Sequence, residues 1–386
     1  MIQPEVADYT DPYAGGGPAR FETATWSSPV VSDFGDFSEL VASWSAATPA
    51  GTWIEISATV WPAGTETSEP GEQFVLGRWA SDTSTIHRTS VPHQRTPVAS
   101  VDCDVLAAAA GQRLGGWQLR VTAHRQVGRT SWPGLTHVGA LTSPPRPRVG
   151  PVSSPGPAAA ARTTLDVPSF SQMTHRGRHP EYGGGGEAWC SAASTAMVLA
   201  YWGSGPAEFR HSSVGFRDTK AGVRGALADN RAGPGHAHPA VVSAAAGTYD
   251  YAYGGTGNWS FNAAYAATFG MVASISRLHS LAEAETFVEA GIPLVASLSF
   301  GRDELSGAGY ATAGHLLVIV GFSANGDVVV NDPASHLVAS NDEVRTVYDR
   351  SQFERLWLQS SGGLVYVIRP PDVPPPAVPA GGPPRW

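Results

Sequence analysis

Between residues 21 and 142 apolar and polar positions alternate in short runs, "FSELVASWSA", "GTWIEISATVWP", "FVLGRWA" and "GWQLRVTAHRQ", divided by Gly, Pro, Thr and Ser. Successive side chains of a strand point to opposite faces, so this alternation predicts half-buried strands, and their short spacing predicts an antiparallel β-sandwich or jelly roll. In "TWIEISATV" the residues Trp53, Ile54, Ile56, Ala58 and Val60 mostly hold one face, while Glu55, Ser57 and Thr59 hold the other. "DVLAAAAGQ" is the one short helix expected in this region.

After residue 164 the period changes. "SAASTAMVLAYW" repeats apolar residues at three and four, as an amphipathic helix does. "NWSFNAAYAATFG" predicts a second helix closing at Gly270, and "SLAEAETFVEAG" a third ending at Gly291 with Pro293 beyond it. "IPLVASLSF", "HLLVIVGF", "DVVVND" and "GGLVYVIR" then read as strands. Helices first and an antiparallel sheet afterwards predict an α+β domain.

Residues 143–164, "SPPRPRVGPVSSPGPAAAARTT", lack apolar periodicity and read as an extended linker between independently folded parts. The Pro-rich end, 370–386, reads as a polyproline-like tail. The expected organisation is an arm over 1–20, a β-sandwich over 21–142, the linker, an α+β domain over 165–369 and the tail.

Composition narrows the function. The 386 residues carry a net charge of −8 with scattered basic residues, so no positive stripe exists to track nucleic acid. No apolar run approaches the roughly 20 residues that span a bilayer, and the first residues lack the basic and apolar regions of an export signal; a soluble chain is expected. Two cysteines, Cys103 and Cys190, permit one disulfide and leave the compartment open. Trp26, Trp44, Trp53, Trp61, Trp79 and Trp117 could stack on sugars, but such rings more often fill a core.

The chemistry gathers around "GGGGEAWCSAASTAMVLAYW". Cys190 stands where the third-and-fourth repeat begins, and unpaired N–H groups at a helix start favour a thiolate. A buried core thiol, half of a disulfide and a nucleophile all remain open on that placement. His315 opens the strand "HLLVIVGF", and Asp332 closes "DVVVND" before Pro333, where a carboxylate could hold an imidazole. A tight two-residue turn at Asn325-Gly326 would set Asp332 opposite Ile319, so the two meet only if the hairpin has a bulge or a looser turn. Side-chain alternation lets one of Asn331 and Asp332 face the imidazole; Asp332 is the choice and Asn331 the reserve.

Other clusters read differently. His175 and His179 in "HRGRH" have metal spacing only on a helix, and this stretch is loop-like, so no metal is expected; His236 and His238 read as a loop pair. Glycines 183–186 lack the Lys-Ser/Thr ending of a phosphate loop and suit a flap over a cleft.

In order along the chain, "DVPSFSQ", "WCSAASTAMVLAYW", "GNWSFNAAYAATFG", "AGIPLVASLSF", "AGHLLVIVGF" and "VVVNDPA" resemble the C39-like cysteine peptidase family, over about 165–369. The resemblance implies a papain-like fold, a Cys-His-Asp triad at Cys190, His315 and Asp332, and an oxyanion-hole glutamine at Gln172. It departs from the pattern in the long glycine-rich stretch between Gln172 and Cys190 and in Ser191, where many relatives have glycine. The function it implies is peptide or amide hydrolysis through an acyl-enzyme, without cofactor, on a peptide or protein substrate. A secreted or cell-surface bacterial protein is expected, with the β-sandwich as a possible holder of surface polysaccharide or protein. The alternative expectation is a papain-fold binding protein without activity.

Overall fold

The computed structural model describes residues 5–33, 35–144, 151–156, 159, 161–206 and 233–377. Parts of the expected linker, residues 207–232 and the expected tail from 378 lie outside these residues. Two units are distinguished: Met1–Arg146 with Tyr249–Ala264, and Pro147–Thr248 with Tyr265–Trp386.

The first unit holds strands β1 (Glu5–Tyr9), β2 (Ala19–Ser27), β3 (Glu39–Ala47), β4 (Thr52–Pro62), β5 (Glu72–Trp79), β6 (Ala99–Asp102), β7 (Val105–Ala108), β8 (Leu114–Gln126) and β9 (Gly134–Ser143). They form one antiparallel sheet in the order β1-β2-β8-β4-β5 and another in the order β6-β7-β3-β9. Residues 5–9 of the expected arm are therefore an edge strand, paired along β2. Along β4 the alternation is visible in burial, with Ile54, Ile56, Ala58 and Val60 buried and Glu55 and Thr59 less so. Trp53 is buried as well, because its ring stacks on His124 at 3.6 Å and meets Phe21 edge-on. Trp44, Trp61 and Trp79 are also core, and Trp26 is the exposed ring.

The helix expected in "DVLAAAAGQ" is instead β7. Asp102 pairs with Val105 across the turn residues Cys103 and Asp104, and Cys103 takes a left-handed φ of 54°. Leu106 pairs with Val101 on one side and Leu40 on the other and is fully buried. Ladder bonds on both edges outweigh alanine's helix preference, which is a few tenths of a kcal/mol per residue.

Residues Tyr249–Ala264, far along the chain, complete this unit. Asp104 Oδ2 accepts from the backbone N–H groups of Trp259 (2.5 Å) and Ser260 (3.1 Å), capping a helix from outside. Asp250 accepts from Ser90 N–H at 3.0 Å and from Asn258 Nδ2 at 2.9 Å. The Phe261 ring packs on Trp44 and Trp79.

The second unit is α+β. Strands β10 (Val272–Arg277), β11 (Leu294–Phe300), β12 (Thr312–Phe322), β13 (Val328–Asn331), β14 (Arg345–Tyr348) and β15 (Leu364–Arg369) make an antiparallel sheet in the order β10-β15-β11-β12-β13-β14. The helices are α1 (Cys190–Tyr201), α2 (Pro239–Thr248), α3 (Trp259–Ala267, divided between the units), α4 (Leu281–Glu289) and α5 (Arg350–Ser361). Ser280 caps α4 by accepting from Glu283 N–H, and Asp349 caps α5 by accepting from Gln352 N–H. Phe287 of α4 and Phe353 and Trp357 of α5 share a buried core with Leu294, Ala296, Leu298, Leu317 and Ile319 of the sheet. Each leucine, isoleucine or phenylalanine among them contributes about 1.5–3 kcal/mol when fully buried.

The described part of the expected linker is not a free spacer. Ser153 N–H donates to Glu354 at 2.7 Å, Gly156 and Ala159 N–H donate to Glu285, and Ala159 is buried in the core just described. Arg350 joins this strap by donating to the carbonyl of Ser153 at 2.8 Å while paired with Glu285 at 2.8 Å. Buried carboxylates and a guanidinium need every partner they can reach, and the strap's backbone supplies them.

Candidate active site

The α1 helix starts at Cys190. Trp189 occupies the cap position with no side-chain cap, and the first α-helical bond runs from Ala193 N–H to Trp189 carbonyl at 2.8 Å. The first-turn N–H groups therefore lack intrahelical acceptors, and the positive end of the helix lies at the thiol. Trp189 is fully buried and donates its indole N–H to the carbonyl of Tyr182 at 2.7 Å, which fixes the entry of the chain. Ser191 bonds the Tyr366 hydroxyl at 2.9 Å and Ser194 donates to Leu316 carbonyl at 3.2 Å, so the helix start is held on the sheet. Cys190 itself is partly exposed, and both cysteines are free thiols, which rules out a Cys103–Cys190 disulfide in this structure.

His315 sits on β12 opposite Leu298 and is buried. Its Nε2 lies 2.8 Å from Asp332 Oδ1. The hairpin achieves this with a looser turn and a bulge together, where the sequence required one or the other. Gly326, at φ 88°, ends a looser turn closed by Ser323 N–H on Asp327 carbonyl. A bulge then shifts the register between Ile319 and Gly321, so Val318 pairs with Asn331. Continuing that register puts Asp332 one place beyond the strand, diagonal to His315 on the same face, within side-chain reach. Asn331 faces away: its Nδ2 donates to the carbonyls of Val167 and Pro168, and its Oδ1 accepts from Arg345.

Asp332 is fully buried with four donors. Oδ1 also accepts from Ala334 N–H at 2.9 Å, and Oδ2 accepts from the hydroxyls of Tyr310 (2.8 Å) and Tyr348 (2.7 Å). Sequence reasoning missed both tyrosines, which belong to no motif and are brought in by tertiary structure.

The electrostatics follow from burial opposed by partners. Burial pushes Cys190 up, but a hydrogen bond and charge from His315, with N–H donors of Leu316 and Ser191, bring it below an ordinary cysteine. Burial lowers His315, yet Asp332's charge and hydrogen bond, with Cys190 behind them, raise it to about 10. Burial would raise Asp332, and His315 followed by the two tyrosine hydroxyls holds it low. With Nε2 engaged by Asp332, Nδ1 is the nitrogen left to serve the thiol. The arrangement favours a thiolate beside an imidazolium.

Gln172 is buried in a 3-10 turn, Gln172–His175. Its N–H donates to Pro333 carbonyl at 2.9 Å, next to Asp332, and its Nε2 donates to Glu187 carbonyl at 3.0 Å, three residues before Cys190. The glycine run makes this approach possible. A Cβ on Gly186 would collide with the Gln172 carbonyl, and Gly185 at φ 83° is pressed against the Arg178 backbone. Those two glycines are packing positions rather than the flap expected from sequence. His175 is buried in the same turn and lowered to about 4 by burial and neighbouring cations, while His179 pairs with Glu181 at 3.2 Å. His238 stacks on Phe170.

Comparison with known families places the chain. Residues 164–365 match the Peptidase_C39 like family, and residues 2–143 match the Peptidase C39 N-terminal domain. The chain belongs to the C39-like peptidase family, and so to the cysteine peptidases in general. Among solved structures, a candidate C39-like peptidase from Bacillus anthracis is similar at 19% identity and a TM-score of 0.29, covering 53% of this chain and 97% of that one. No curated protein matches.

Proposed function

We propose that the chain hydrolyses a peptide or amide bond by covalent catalysis at Cys190. The observation that carries this reading is one connected line: a thiol at a helix start, brought below an ordinary cysteine by His315, whose Nε2 is 2.8 Å from a buried Asp332. The Cys190 thiolate attacks the carbonyl carbon, and the carbonyl electrons move to oxygen. The His315 imidazolium gives its proton to the departing amine as the C–N bond breaks, leaving a thioester. His315, now neutral, takes a proton from water as the water attacks the thioester; it then returns the system to thiolate and imidazolium as the acid leaves. Asp332 holds the imidazole orientation throughout.

The developing oxyanion is met by the Cys190 backbone N–H and by Gln172, whose amide spends one hydrogen on Glu187 carbonyl and keeps the other. The finer architecture we assign is papain-like for the second unit, with α1 standing against β12, and a sandwich for the two sheets of the first. The substrate is a peptide or protein. Digestion of a peptide library by the full chain is the test. The parent should cleave, and Cys190→Ala and His315→Ala should each fall by at least about 10³-fold. A parent no more active than Cys190→Ala would overturn the reading.

A further inference from the structure

We propose that Tyr310 and Tyr348 are positioning residues of this site: their hydroxyls pin the second oxygen of Asp332, so the carboxylate keeps one plane and one oxygen on His315. The inference rests on the reading of Cys190 and His315 given above.

Asp332 lies wholly out of solvent, and a carboxylate has more acceptor capacity than His315 alone can fill. Oδ1 is served by His315 and Ala334 N–H. Without the tyrosines Oδ2 would be a buried anionic oxygen with no donor, free to turn and offer either oxygen to the imidazole. The two hydroxyls arrive from different elements. Tyr310 lies in the loop ahead of β12, and Tyr348 ends β14, where it pairs with Val328. Donors from two directions fix the plane, which one could not.

Tyr310 does a second thing. Its ring meets His315 edge-on, with centroids 5.6 Å apart at 80°, and is itself backed by Phe300. The imidazole is thus held by a hydrogen bond through Asp332 and by an aromatic edge. The titratable groups facing Asp332 are His315 from β12 and these two tyrosines, with Cys190 of α1 beyond the imidazole. Burial and the Asp332 charge raise both phenols, so they remain donors while the carboxylate is ionised.

The test uses the full chain and the rate at which iodoacetamide alkylates Cys190 across pH, beside kcat and KM on a cleaved peptide. Tyr310→Phe and Tyr348→Phe keep the rings and remove one donor each; the double variant removes both. Each single variant should lose about tenfold in kcat with KM unchanged. Without the hydroxyl dipoles the Asp332 charge is less offset and disfavours the thiolate more strongly. The acid limb of the alkylation profile should therefore move up by about one pH unit in the double variant. The single variants, each retaining one donor, carry the test if the double does not fold. Profiles and kcat superimposable on the parent would make the tyrosines core packing only and overturn the proposal. A parent whose alkylation shows no dependence on His315, checked with His315→Ala, would instead overturn the catalytic reading beneath it.

Discussion

At the scale of the residue, the two cysteines are one side chain in opposite surroundings. Cys103 sits at a left-handed turn position, donating to Asp250 at 3.6 Å, and burial followed by Asp104 and Asp250 pushes its thiol far up. Cys190 has a helix start and His315, and its thiol is brought down. Alkylation of the native chain at pH 6, read by peptide mass mapping, should therefore modify Cys190 at least about tenfold faster than Cys103. The rate at Cys190 should stay high as pH rises, because the thiolate forms first and the imidazolium keeps its proton until about pH 10. Equal labelling of the two thiols would contradict this. The pairing of His315 with Asp332 was visible in sequence as a condition rather than a fact: strict alternation from a tight turn would have separated them, and a looser turn with a bulge joins them. Tyr310 and Tyr348 carried no such mark, because a lone tyrosine has no period and no motif, and its partner is fixed by where distant strands end.

At the scale of the element, what could be read depended on whether the signal was local. Helix α4 was legible because Ser280, the repeat and Gly291 lie within a dozen residues. Helix α5 had equally local marks, an Asp349 cap and buried Phe353, Leu356 and Trp357 at helical spacing, and went unread amid its charged residues. The strap of residues 151–156 and Ala159 could not be told from a spacer, since the Glu285, Glu354 and Arg350 that hold it lie more than a hundred residues away. The glycine run misled for a related reason: glycine that moves and glycine that packs look alike until the neighbouring backbone is placed. Gly186→Ala should push the Gln172 turn away from the segment before Cys190, and a shift of about 1 Å there can cost ~10²-fold in kcat/KM. Gly184→Ala is the control. Unlike Gly186 it has a left-handed backbone, at φ 83°, but open space around it, so the change should cost only about 1–2 kcal/mol of stability, read by urea unfolding, and keep the rate. If both variants kept full activity, Gly186 would not govern Gln172.

At the scale of the whole molecule, the chain is divided within its Pro-rich stretch, between Arg146 and Pro147, but not only there. Pro-rich sequence separates the β-rich part from the rest, yet Tyr249–Ala264, beyond that stretch, belongs to the β-rich unit. Phe261 fills space between Trp44 and Trp79, and Asp104 caps the helix that Trp259 begins. A specific protease site placed in the full chain at 147–150 and then cut should therefore leave two fragments that elute together from a sizing column. Separate elution would show that this packing does not hold them. The association should also depend on pH with a definite sign. Burial, only partly offset by the N–H groups of Ser260 and Trp259, raises Asp104 to about 7, above its free value of about 3.9. A carboxyl raised on folding contributes stability that is complete below its unfolded pKa and is lost as pH climbs through the folded one. The cut chain should thus hold together more tightly at pH 5 than at pH 8. Asp104→Asn, which keeps an oxygen for the two N–H groups and cannot ionise, should flatten that difference, and a slope unchanged by the substitution would assign the dependence to another group.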